Sequence, residues 1–503
     1  MRGVRTYILA IGIIVIVELS AFFCFSSFVH GADNPGKPEK GTIDSTTLKV
    51  IIPTFLGNEK RNYYGDLAPS NLKLNWKLYL GKGKTVISRK LGSRIWSGAG
   101  WTGQPLLVQE DTSLYIIQGA YDHHLKKINA ANGKIVWQYP FDDVVKGTGT
   151  IWNNIKSKNS DNRLVILQGS RLGVGNYLDT KHIPSYRAIS YESGKELWRL
   201  DVKWTDSYSR DVDGSALVIN DTAYLGLENS LFTVFDPDYT KATVTDSMLQ
   251  PRIYQETSLY EKRDVVAHKS NVVTESSPSL LNGVVYIASG SGHVYGYDLY
   301  KKQLVWDFYI GSDMDGSAIV THDSCLLVSV EKQYIEGNGG VFKLDPSKPP
   351  KDAVIWYFPV NDKKFASWEG GVIGSVGIND SYNDGNSPYL AAFMAIDGYL
   401  YVVDHTKIDK SKKVAGPDNK HLYPTPKLVF KKHTGPSIST PIIVNDKLIA
   451  AGYNGIYLFR FDKDLNFTLL DMKPAPFEST PIVNNGKIYV ASRDGYFYCL
   501  GNN

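Results

Sequence analysis

One repeated phrase constrains what this chain can become. From Ser479 it reads STPIVNNGKIYVASRDGYFYCLG, and from Glu275 ESSPSLLNGVVYIASGSGHVYGYD. Related phrases start at Gly103, Gly149, Asp213 (DGSALVINDTAYLGLENSLFTVFD), Asp315, Glu369 and Ser439, giving about eight copies at a basic spacing of about 40 residues, stretched by insertions. Within a copy, a small-residue start leads to a short apolar strand and a tight turn such as Asn282-Gly283 or Asn485-Gly486. A β-branched second strand, a Gly-containing turn and a third strand ending near Asp follow. Gly-Lys-x-x-Trp then announces a fourth strand, as at Gly133 to Trp137 and Gly194 to Trp198, and the same Trp position recurs at Trp306 and Trp356, with Phe430 in a later copy. Each unit is therefore read as a four-stranded antiparallel meander.

The last copy stops after three strands, while LKLNWKLYLG, from Leu72, is a Trp-ended fourth strand with no three strands before it. Pairing this first strand with the last three closes a ring and removes an open sheet edge. The expected fold is all-β: a single eight-bladed β-propeller of four-stranded antiparallel blades, with Trp76 in the strand that completes the C-terminal blade. Composition agrees, because 45 glycines and 32 tyrosines beside 5 methionines suit many short strands and turns. The net charge of +4 is spread along the chain without a run, which argues against nucleic acid as a partner.

Arg2 and Arg5 precede an apolar stretch, and residues 7–29 are just long enough to span a bilayer, with Glu18 opposing insertion. Residues 1–31 are read as either a cleaved signal peptide or an uncleaved anchor, residues 32–54 as a linker and 55–503 as the propeller. The chain is thus expected to be extracytoplasmic, periplasmic or at the cell surface, and to meet the membrane only through its N-terminal segment. Cys24, Cys325 and Cys499 form no metal or redox motif.

INAANGKIVW (Ile128 to Trp137), YESGKELW (Tyr191 to Trp198) and the phrase from Ser276 resemble the blade repeats of the pyrroloquinoline-quinone (PQQ) propeller superfamily, and FLGNEKRNYYG from Phe55 is similar to the start of its bacterial members. That resemblance implies one of two functions. One is a calcium- and quinone-dependent alcohol or sugar dehydrogenase; the other is a non-enzymatic scaffold such as the lipoprotein of the outer-membrane β-barrel assembly machine. The sequence has no vicinal cysteine pair and no assembled cofactor-ligand set, so it stands closer to the scaffolds. No cofactor is assigned, PQQ has no supporting motif, and Ca²⁺ is the candidate ion.

The candidate site comes from the residue just before each innermost strand. Five copies place a carboxylate there, Asp213, Glu275, Asp315, Glu369 and Glu478, whereas Thr102, Thr148 and Ile438 hold the other positions. Carboxylates crowded at one channel mouth must share a hard cation, take up protons or bond local backbone N–H groups. Trp368, Trp101 and Arg210 are the candidate stacking and cationic residues beside them, and an unidentified protein or carbohydrate ligand is expected on this face.

Overall fold

The period-two alternation and the Asn-Gly and Gly turns produce the expected meanders. The computed structural model describes residues 47–176 and 180–502. The signal or anchor segment and most of the linker lie outside the described residues. Eight antiparallel sheets succeed one another along the chain. Their innermost strands are Leu106–Glu110, Thr150–Asn153, Leu217–Ile219, Ser279–Leu281, Ile319–Val320, Gly377–Ile378, Ile442–Val444 and Ile482–Asn484, which number blades 1 to 8. Each is an edge strand of its sheet followed by three more, except that blade 1 carries a fifth strand on its inner side.

The ring closes as the orphan strand requires. Leu74–Tyr79 pairs antiparallel with Tyr496–Gly501, setting Trp76 opposite Cys499 and Lys77 opposite Tyr498. The tryptophans share one role. The indole Nε1 of Trp76 donates to Ala130 O (3.0 Å), Trp137 to Tyr191 O (3.1 Å), Trp198 to Pro237 O (2.9 Å), Trp306 to Lys348 O (3.0 Å) and Trp356 to His405 O (3.0 Å). Each indole thus bonds the next blade, just beyond its third strand in four cases and, for Trp356, within the long third strand Tyr399–Ala415 of blade 6. The glycine of Gly-Lys-x-x-Trp has a physical cause here: Gly133 and Gly194 have φ of +73° and +70°, and a Cβ on either would meet the preceding blade's indole at 2.6 to 2.8 Å. Blade 6 substitutes Phe430, which stacks on Phe467 of blade 7 at 4.4 Å.

Hydroxyls link the inner strands. Ser215 N donates to Ser277 Oγ, Ser277 N to Ser317 Oγ and Ser317 N to Ser375 Oγ, each at 2.9 Å, and the series continues through Thr440 Oγ1 (3.1 Å) to Thr480 Oγ1 (3.3 Å). The small hydroxyl residues opening blades 4 to 8 are therefore hydrogen-bond acceptors that join neighbouring blades.

The linker reading to residue 54 needs correction. Leu48–Ile52 is a strand, and it pairs antiparallel with Leu106–Glu110, so the propeller framework begins before Phe55. The segment that follows contacts the remaining blades in turn. Ile151 N donates to Pro53 O, Leu280 N to Glu59 O, Val320 N to Lys60 O and Val483 N to Tyr64 O. Thr54 Oγ1 donates to Ala216 O, the Tyr64 hydroxyl accepts from Ile378 N (2.8 Å), and Asn445 Nδ2 donates to Asp66 O. At its centre the fully buried Arg61 donates to Pro278 O (2.9 Å), Thr54 Oγ1 (2.8 Å), Phe55 O (2.7 Å) and Ser215 O (3.3 Å). One stretch of about twenty residues thus touches all eight inner strands or their approaches.

Insertions lie outside this frame. Two-stranded hairpins occur at Lys82–Ser88 with Gly92–Ser97, Thr243–Thr245 with Met248–Gln250, and Asp362–Phe365 with Trp368–Gly370. The third and fourth strands of blade 6, Tyr399–Ala415 and Leu422–His433, overrun their sheet, and their far end places Val414 and Tyr423 against the core of blades 4 and 5.

Candidate functional site

Every innermost strand is entered from the same face, so the residues preceding them crowd one channel mouth. A cavity of about 20 Å³ there is lined by Trp101, Thr102, Thr148, Asp213, Glu275, Asp315, Ile373 and Ile438, with the hydroxyl ring beneath. The predicted positions thus come together, except those of blades 6 and 8. In blade 6 the Gly-Ser pair that follows Asp213 and Asp315 recurs as Gly374-Ser375, so the equivalent residue is Ile373. Glu369 is instead the exposed residue of the hairpin strand Trp368–Gly370 and stands outside the cavity.

Glu478 is also set apart. Its Oε1 accepts from Tyr453 Oη (2.8 Å) and Arg493 Nη1 (2.8 Å), and its Oε2 accepts from Trp101 N (3.3 Å) and Tyr121 Oη (3.5 Å). Its charge is met by neighbours, leaving Asp213, Glu275 and Asp315 as the carboxylates of the central cavity.

Four further carboxylates join them that the inner-strand rule misses. Asp211 and Asp313 stand two residues before Asp213 and Asp315, and Glu228 follows the second strand of blade 3. Ligand atoms of Asp213, Glu228 and Glu275 all lie within 4.8 Å of one another. A D-x-D spacing, present at 211–213 and 313–315, is the sequence signal that marks the added pair. Glu331, after the second strand of blade 5, faces the same group.

The cation of the mouth is Lys146, not Arg210. Lys146 Nζ lies 2.5 Å from Asp213 Oδ2, 3.7 Å from Glu228 Oε1 and 3.8 Å from Asp211 Oδ2, and 5.0 Å from the centre of the Trp101 ring. It occupies the position two before Thr148 that Asp211 and Asp313 occupy in their own blades. Arg171 Nε holds Asp211 Oδ2 at 2.7 Å. Arg210, although only three residues from Asp213, turns away and donates to Val202 O (2.7 Å), Thr180 O (2.6 Å) and Lys181 O (3.2 Å).

Burial opposes the charge on Lys146, but Asp213, Glu228, Glu275 and Asp211 outweigh it and hold the ammonium well above its ordinary pKa. Burial likewise dominates the acids. It pushes Asp213 up to about 7 against the pull of Lys146, and Asp313 up to about 6. Burial, with Glu228 adding repulsion, pushes Glu275 up to about 8. Asp315, Glu228 and Glu331 are raised for the same reason, whereas for Asp211 the nearby Arg171 and Lys146 overcome burial and lower it. Two cations therefore face seven carboxyl groups, five of them buried and two, Glu275 and Asp315, partly buried. Asp213 Oδ1 and Asp313 Oδ1 are buried and accept no hydrogen bond.

The other side of the mouth is apolar. Trp101 and Trp368 stack at 6.0 Å, Trp368 stacks on Phe365 at 6.4 Å, and Ile373, Ile396 and Ile438 pack with them. The Trp101 Nε1 donates to Glu275 Oε2 at 2.5 Å, coupling the aromatic and acidic halves. Trp101 and the β-branched Thr102 both hold left-handed backbone, φ 51° and 58°, a conformation costing roughly 1–2 kcal/mol per residue.

No curated protein matches this sequence. Among solved structures, BamB from Moraxella catarrhalis matches with 11% identity and a TM-score of 0.52, covering 86% of this chain and 100% of that one. The quinohemoprotein alcohol dehydrogenase from Comamonas testosteroni matches with 12% identity and a TM-score of 0.58, covering 90% and 81%. A europium-containing methanol dehydrogenase matches with 13% identity and a TM-score of 0.54, covering 88% and 89%. At these identities the likeness is one of fold. Residues 82–349, just over half of the 503, match the family model described as outer membrane protein assembly factor BamB, and the chain belongs to that family of PQQ-like propellers.

Proposed function

We propose that this chain is an exported, non-enzymatic propeller that works as a binding and scaffolding module, with a protein partner on its mouth face and one small cation or its equivalent in protons held in the acidic half of the channel mouth. The family's assembly-factor description supports the scaffolding role. The observation that carries the cation is the pair of buried oxygens without a hydrogen bond, Asp213 Oδ1 and Glu228 Oε1, in the Asp213, Glu228 and Glu275 cluster, whose ligand atoms approach within 4.8 Å. Calcium–oxygen bonds of about 2.4 Å span that spacing, and an all-carboxylate donor set suits a hard cation. The basic and then apolar start of the sequence supports export. Among the described residues no helix is long and apolar enough to cross a membrane.

PQQ does not fit the mouth. A cavity of about 20 Å³ holds one water-sized occupant, and the two indoles that could stack on a quinone are packed on each other. The test is thermal unfolding of EGTA-treated protein at pH 8 with Ca²⁺, with PQQ, and with both, beside a dye-linked oxidation assay on alcohols and aldoses. Calcium alone should raise Tm, since a ligand at a hundred times its Kd adds about 2.7 kcal/mol. A rise that needs PQQ, with turnover, would replace the scaffold reading by a dehydrogenase; no rise with Ca²⁺ would leave protons as the only neutralising charge.

A further inference from the structure

We propose that the hairpin joining blade 8 to blade 1 docks the rim of the mouth face onto a bilayer surface rich in anionic lipid, a membrane contact additional to any made by the N-terminal segment. Between residues 67 and 109 the sequence contains no Asp or Glu but has Lys73, Lys77, Lys82, Lys84, Arg89, Lys90 and Arg94. Five of these cations fall on the hairpin strands Lys82–Ser88 and Gly92–Ser97 or the turn between them, and the two strands pair only with each other.

The register sorts the hairpin into two faces. Lys84 opposes Ile95 and Val86 opposes Ser93, so Lys82, Lys84, Val86 and Ile95 share one face, while Gly83 opposes Trp96 on the other. The second face holds the hairpin down. Thr85 is fully buried, Trp96 packs 5.1 Å from Tyr121, and Arg171 Nη1 donates to Thr85 Oγ1 and Val86 O, both at 2.9 Å. The first face and the tip are left to solvent with their apolar groups showing: Leu91 is 54% and Ile95 62% exposed. Beside them a cleft of about 490 Å³ opens between Val86, Ile87 and Leu172 on one side and Trp204 and Tyr208, 47% and 50% exposed, on the other.

Apolar tip residues, a pair of exposed Trp and Tyr rings and the cations Lys82, Lys84, Lys90 and Arg94, in a stretch of sequence that contains no Asp or Glu, are what an interfacial element requires. The apolar groups enter the headgroup boundary and the cations meet lipid phosphates. Lys82 and Lys84 lie on the open strand face, Lys90 in the turn and the exposed Arg94 next to the turn on the other face; this spread, rather than convergence on one point, matches a diffuse negative surface better than a single carboxylate of a bound peptide.

The test uses the full chain carrying Cys24→Ser, with a polarity-sensitive dye at Leu91→Cys or, as control, at Tyr300→Cys. Tyr300 is 94% exposed and lies between the third and fourth strands of blade 4, on the opposite face. Vesicles are phosphatidylcholine alone or with about a third phosphatidylglycerol. The dye at position 91 should shift to the blue only with the anionic vesicles, and the dye at 300 should not respond. Lys90→Glu with Arg94→Glu should weaken the response at least about 20-fold, since each cation near such a surface contributes about five-fold, and 0.5 M salt should suppress it. Tm is measured on each variant to show that it is folded. A response equal at 91 and 300, equal with neutral vesicles, or reproduced by soluble polyglutamate without lipid would overturn the proposal.

Discussion

Lys146 Nζ sits 2.5 Å from Asp213 Oδ2, and the two residues arrive from the entries to adjacent blades. The pair is buried, so each charge depends on the other. Replacing Lys146 with Met should cost about 3–5 kcal/mol at pH 8, the usual result of leaving a buried charge without its partner. The loss should shrink towards pH 5, where the neighbouring carboxyls carry protons. Urea unfolding at both pH values measures it, and an equal loss at both would show that Lys146 acts through packing alone.

The raised acids give wild-type stability a particular slope. Asp313 near 6, Asp213 near 7 and Glu275 near 8 all lie above the unfolded carboxylate value, so the folded state binds more protons than the unfolded state from about pH 4 to 8. Unfolding free energy therefore falls as pH rises through that window and levels off above it. Saturating Ca²⁺ should flatten the fall by replacing protons. Stability that climbs from pH 5 to 8 without calcium would contradict the reading of the cluster.

Trp76 bonds Ala130 O and stacks on Phe497 at 5.9 Å, so it joins both chain ends to blade 1. Trp76→Ala should cost about 3 kcal/mol, while Trp76→Phe should recover part of it by keeping the stack. Denaturant midpoints report the difference. If both variants unfold like wild type, this strand is not what closes the ring.

Arg61 supplies the buried cation of the segment that crosses the channel floor. Arg61→Met leaves Pro278 O, Phe55 O, Ser215 O and Thr54 Oγ1 without their donor, and hydrogen bonds to a charged group contribute about 1.5–3 kcal/mol each at most. A loss of about 3 kcal/mol or more in a single cooperative transition is expected. Hydrogen exchange should show the inner strands of blades 3 and 4 losing protection first, as Ser215 and Pro278 lead into them.

His322, Asp380 and His405 bring three metal-ligating atoms together between blades 5 and 6, yet Lys343 decides what they do. Its ammonium lies 3.3 Å from His405 Nδ1, which must accept, so Nε2 keeps its proton and donates to Asp380 Oδ1 at 3.0 Å. Burial of Asp380 is outweighed by His405 and by the His322 contacts, which hold its pKa below the ordinary value. Its contribution to stability is therefore present above about pH 4 and lost on further acidification. Asp380→Asn should cost about 1–3 kcal/mol at pH 7, and equimolar zinc should leave the wild-type Tm unchanged. A zinc-induced rise abolished by Asp380→Asn would make this a metal site.

Much of this architecture was legible because a repeat states its period in every copy. The unpaired LKLNWKLYLG at one end and the missing fourth strand at the other could be matched without coordinates, since an edge strand needs a partner. Asp213, Glu275 and Asp315 were equally legible, each preceding a recognisable inner strand. Glu369 failed for a local reason: Glu369-Gly370-Gly371 imitates the start of a copy, four residues ahead of the true Gly374-Ser375. Arg210 failed because nearness in sequence does not fix direction, and carbonyls of the neighbouring segment claim its guanidinium.

The sequence by itself determined how many blades form, where the ring closes and which positions face the channel, because hydrophobic alternation, turn chemistry and the Gly-Lys-x-x-Trp signal are local and recur. Only the tertiary structure decided the charge state of the mouth. Lys146, Asp211, Asp313, Glu228 and Glu331 come from connections that differ between blades, and burial sets their protonation only once they are brought together within a few ångströms.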